Sequence, residues 1–150
     1  MVDKIYLRMH AEHRSELEAE IRRHELIYGT SPYRSPSNTD EMPHASGGIN
    51  DTTANAVIKK LDPSSYIGRL DKIVQDEERE IEAVLALLPK ADQKTVIRIK
   101  YYHRYDWDDV AMFIYGDKVD YVGNSEKYKV KAQKLHGAAL ANMKNVQEVK

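Results

Sequence analysis

The chain has 150 residues, 41% hydrophobic and 31% charged, with a formal net charge of −1 and no cysteine. That length holds one domain, or one small domain with an appended helix. Disulfides and a thiolate zinc site are excluded, no apolar run approaches a bilayer span, and no apolar signal region follows Met1-Val2-Asp3-Lys4. A soluble protein of the cytoplasm is expected, with no membrane partner.

The near-neutral total conceals an uneven distribution. Residues 1–62 carry 8 basic against 10 acidic residues, residues 63–89 carry 3 against 6, and residues 90–150 carry 12 against 8. The basic excess is confined to the C-terminal segment and offset upstream. This suits a local footprint on a polyanion better than general polyanion binding.

From about Asp3 to Tyr28 the chain lacks Gly and Pro and is rich in Glu, Arg, Leu and Ala. Ile5, Met9, Leu17, Ile21 and Tyr28 form a narrow apolar stripe on an otherwise charged helix. Gly29 is a plausible stop. His10 and His13 have a spacing that a metal can use, with Glu12 and Glu16 near, but no third strong ligand is positioned. An ordinary polar helix face is the reading, and no metal is expected.

Residues 29–50 contain Pro32, Pro36, Pro43, Gly47 and Gly48 among Ser, Thr, Asn and Asp. They read as a linker or mobile loop that separates an N-terminal helix, 1–28, from a helical domain, 51–150. A short helix is predicted from Thr52 to Leu61. Asp62-Pro63 interrupts it, and Ser64 or Ser65 caps the next helix. That helix, Tyr66 to Leu88, places Tyr66, Leu70, Ile73, Val74, Ile81, Val84, Leu85 and Leu88 at helical period. Its other face carries Asp76, Glu77, Glu78, Glu80 and Glu82. Those acids read either as a solvated face or as a shield that repels DNA or meets a basic partner.

Leu88-Pro89 lets one helix end and another begin. The next helix, Asp92 to His103, buries Val96, Ile97, Ile99 and Tyr102, and leaves Arg98, Lys100 and Arg104 off that face for phosphate. Asp106 is placed to cap a helix from Trp107 to Ile114, with Asp108 and Asp109 suiting its positive end. Trp107 reads as a core anchor, and Ala111 is small where two helices approach. After the break at Gly116 to Asp120, the last helix starts at Asp120 or at Asn124-Ser125. Tyr121, Tyr128, Ala132, Leu135, Ala139 and Met143 share one face; Lys127, Lys131 and Lys134 share another. The lysines read either as a solvated face or as phosphate contacts of a recognition helix. On the second reading, Ser125, Glu126, Lys127, Tyr128 and Lys129 at its start are the candidates for base reading. No segment alternates like a strand, so the fold class is all-α: a helical bundle with a C-terminal helix-turn-helix at about 91–143.

The segment resembles region four of bacterial sigma factors. The resemblance rests on Leu88-Pro89, Arg98 to Tyr102, Val110-Ala111, Ser125 to Val130 and Ala138-Ala139-Leu140. The whole chain resembles the ArpU-like late transcription regulators (RinA- and LtrC-type activators) of phages of Gram-positive bacteria. The likeness runs from about residue 66 to 145. The stretch Tyr115 to Asn124 is longer than the usual sigma-type turn. The resemblance implies a phage activator that binds double-stranded DNA upstream of late genes in the bacterial cytoplasm. Whether host RNA polymerase or a second copy of the chain is also a partner stays open.

Gly47-Gly48 lacks the lysine of a phosphate loop, and no nucleophile elbow frames the Ser, His and Asp residues. No enzyme activity and no cofactor are expected. Two other readings remain: a small terminase subunit, which also marks DNA with a helix-turn-helix, and a protein-binding adaptor that uses the helix 66–88 and the N-terminal helix.

Overall fold

The computed structural model describes residues 1–28 and 65–149. The expected linker and the helix 52–61 lie outside the described residues. Within them the protein is all-α: five helices and no strand.

Helix α1 spans Lys4–Tyr28. Asp3 Oδ1 accepts from Tyr6 N at 2.8 Å and satisfies one of the first-turn donors. The buried side chains of α1 are Leu7, His10, Leu17 and Ile21. Ile5 and Met9 instead face outward, 74% and 39% exposed. The expected stripe is therefore rotated at its N-terminal end, because a histidine takes the inward position there. Helix α2, Tyr66–Ala86, is capped by Ser65, whose Oγ accepts from Gly68 N at 3.1 Å. It runs antiparallel to α1, with Tyr6 bonded to Glu80 at one end and Tyr66 to Glu16 at the other. Tyr66 and Ile73, expected on its apolar face, are exposed, and Ile67 takes the buried place.

Helix α3, Ala91–Tyr101, buries Val96, Ile97, Ile99 and Tyr101. Tyr102 caps its end half-buried, its hydroxyl donating to Glu82 at 3.1 Å. Helix α4, Trp107–Tyr115, starts as expected at Asp106, whose side chain accepts from Asp109 N at 2.9 Å. Val110 and Ala111 are fully buried. Gly116 ends α4 where a Cβ would sit 2.4 Å from the carbonyl oxygen of Met112. Three successive turns then carry the chain to Asn124, closed by Lys118, Tyr121 and Asn124 amides, each donating to the carbonyl three residues back. Helix α5, Ser125–Glu148, buries Tyr128, Ala132, His136, Ala139 and Met143, at steps of four, four, three and four.

Helix α5 packs on α4, α3 and the end of α2. One large cluster unites Leu7, Ile81, Leu85, Val96, Ile97, Val110, Ala111, Ala132, Ala139 and Met143. A smaller one joins Leu17 and Ile21 of α1 to Ile67, Leu70 and Val74 of α2. The N-terminal helix is thus not set apart from the rest. Val2 is buried, and Gln147 near the end of α5 both accepts from its amide (2.7 Å) and donates to its carbonyl (2.9 Å).

Candidate nucleic-acid interface

Successive residues of α5 are turned by about 100°. That rotation puts Lys127, Lys131 and Lys134 on the side away from Ala132, Ala139 and Met143. All three lysines are exposed. Lys127 and Lys134 form no ion pair among the described residues, and the Lys131 ammonium lies 4.8 Å from the centre of the Tyr128 ring. Ser125 and Glu126 are exposed at the N-terminal end of the same helix, next to its unpaired amides.

Two expected base readers are placed differently. Tyr128 is 6% exposed. Its hydroxyl donates to Asp120 Oδ1 at 2.6 Å, and its ring meets those of Tyr115 and Tyr121 at 5.2 and 5.6 Å. That hydrogen bond raises the Tyr128 phenol and holds the Asp120 carboxyl below its ordinary range, with Lys127 and Lys131 adding to the latter. Tyr128 thus ties the long α4–α5 turn to the helix and is not available to a groove. Lys129 turns back to Asp108 on α4, 3.0 Å away, which raises its ammonium pKa. Neither placement has a signal inside its own helix. The captors lie in the preceding turn and helix.

The cations of α3 and its C-terminal turn are also separate from the α5 face. Arg98 makes two hydrogen bonds to Glu82, of 3.0 and 2.5 Å, and this pairing lowers the Glu82 pKa. Lys100 donates to the Tyr105 carbonyl at 2.8 Å and lies 4.7 Å from the Trp107 ring centre. Arg104 bonds Glu18 on α1 at 2.5 Å. The structure draws Arg98 into an intramolecular pair and groups Lys100 and Arg104 with α1, so the ten candidates do not form one surface.

The acids of α2 are spent within the fold. Glu77, 7% exposed, accepts from His10 Nδ1 at 3.1 Å and His13 Nδ1 at 2.8 Å. Glu78 takes Arg14 (2.9 Å) and Glu80 takes Tyr6 (2.8 Å), which pushes the Tyr6 phenol up to about 12, chiefly through burial. Among the described residues no group of three acids or histidines is arranged to hold a metal, and no helix is long and apolar enough to cross a membrane.

Comparison of the chain with family models, with curated proteins and with solved structures found no match.

Proposed function

We propose that the chain is a sequence-specific DNA-binding transcription regulator of the phage late-gene activator type. On this reading α3, α4 and α5 act as a helix-turn-helix, with α5 as its recognition helix. The observation that carries it is the free lysine face: Lys127, Lys131 and Lys134 stand exposed on a helix whose opposite side is locked into the core. Asp120, the acid that acts on Lys127 and Lys131, is hydrogen-bonded to the Tyr128 hydroxyl and forms no ion pair with either lysine among the described residues. Exposed ammonium groups without an ion-pair partner gain most from phosphate, since binding releases condensed counterions. Ser125, Glu126 and Lys127 at the start of α5 are the base-reading candidates that remain accessible.

Footprinting on phage DNA carrying late promoters, followed by affinity measurement at two salt concentrations, tests the proposal. A single protected site is expected, with log affinity falling against log salt at a slope of about −3 if three phosphates are neutralised. Lys127→Glu and Lys131→Glu should each abolish retention without unfolding the protein. Uniform weak binding to every duplex, or parental affinity in both variants, removes the regulator reading.

A further inference from the structure

A second cationic feature lies on another flank of the molecule. Lys4 and Arg8 of α1, Lys100 and Arg104 at the end of α3, Trp107 at the start of α4 and His136 of α5 surround an open cleft of about 790 Å³. That volume is in the range of small-molecule sites. Glu12 is the one acid in its wall among the described residues.

The four cations are held for different reasons. Lys100 is fixed by the Tyr105 carbonyl and the Trp107 ring. Arg104 is the one non-glycine residue with positive φ (57°) among the described residues, and Glu18 holds its guanidinium. Lys4 and Arg8, one helical turn apart, are exposed and have no ionic partner among the described residues. At the floor, His136 Nε2 is 3.0 Å from the Tyr101 hydroxyl. Burial first, then Lys4, Lys100 and Arg8, push the His136 pKa down to about 4. The cations thus face a neutral imidazole at neutral pH and raise the potential of the cleft. Like charges gathered around a concavity favour an anion of several charges, and arginine and lysine suit phosphate oxygens.

We infer that this cleft binds a phosphate-bearing small molecule carrying at least two negative charges. Gln133 and His136 face the cleft, while Lys127, Lys131 and Lys134 lie on another flank of α5. The inference therefore stands apart from the DNA reading and survives its failure.

Trp107 is the only tryptophan of the chain and sits in the cleft wall, so its fluorescence reports occupancy. Inorganic pyrophosphate is the probe, titrated against the full chain at constant ionic strength and checked by calorimetry. A saturable change with one site per chain is expected. The double variant Lys4→Gln/Arg8→Gln should weaken it about tenfold or more, the scale of losing charged hydrogen bonds. Both side chains are exposed and have no ionic partner among the described residues, so its melting temperature should stay parental. Lys127→Gln/Lys134→Gln should leave pyrophosphate affinity unchanged. Absence of saturation at ~10 mM, far weaker than functional sites bind, overturns the inference. So does equal weakening in both double variants, which reports bulk charge only. Displacement of pyrophosphate by a random duplex that depends on Arg8 overturns it too, since the cations then belong to a DNA track.

Discussion

Helix α2 carries a run of acids and helix α5 a run of lysines, and the fold treats them in opposite ways. The acids of α2 are consumed: Glu77 is buried under His10 and His13, Glu78 meets Arg14, Glu80 meets Tyr6 and Glu82 meets Arg98. Of the lysines of α5, Lys127, Lys131 and Lys134 are spared, while Asp108 captures Lys129 and Glu148 of the same helix pairs with Lys144. A run of charge in sequence is therefore not yet a surface. It becomes one only when the neighbouring helices bring no counter-charge within reach, and α2 lies between two cation-bearing helices while, among the described residues, the outer side of α5 faces none.

The largest expected effect comes from emptying the α2 side of the comparison. Glu77→Ala leaves the ring of fully buried His10 without its acceptor and should cost about 3 kcal/mol in a urea melt, the scale of a broken buried charge-assisted contact. Glu77→Gln, which keeps one acceptor oxygen, should cost less. A parental midpoint for the alanine variant means that the α1–α2 acids are ornamental and that the two faces differ less than described.

Acid supplies a second measurement. Folded His136 stays neutral to about 4, against about 6.5 for a free imidazole. The unfolded chain therefore binds its proton first, and this contribution is intact above about pH 6.5 and is lost as pH falls toward 4. With partial solvent access it should amount to about 1–2 kcal/mol between pH 7.5 and 4. His136→Gln should remove that portion of the pH slope, and an unchanged slope assigns acid sensitivity to other groups.

Arg98→Gln tests a half-exposed pair and should cost about 0.5–1 kcal/mol, with little salt-independent remainder. The smallest effect belongs to α5: Lys127→Gln with Lys134→Gln should move stability by under ~0.5 kcal/mol, as surface changes do, while lowering DNA retention. A large stability loss there would show that those lysines have hidden partners and would erase the contrast with α2.

Much of the fold is legible in the chain itself. Period, caps and breaks give α2, α3, α4 and α5 to within a few residues, because Ser65, Asp106 and Gly116 act through bonds to their immediate neighbours. The inner stripe of α5 is equally local, since a 3.6-residue period settles which side chains share a face. The candidate site was legible only in part. Lys127, Lys131 and Lys134 stand where their helical positions put them, but Tyr128, Lys129 and Arg98 are claimed by Asp120, Asp108 and Glu82, which no period of their own helix reveals.

Sequence alone settled the helical class, the principal helix boundaries in the described C-terminal half and the lysine stripe, all consequences of interactions within a few residues along the chain. Tertiary structure decided that α1 is part of the core, that the α2 acids are internal partners, and that Lys4, Arg8, Lys100 and Arg104 share a cleft. Those outcomes depend on contacts between residues 16 to 145 positions apart. Docking of whole helices sets such contacts, and local propensity carries no information about them.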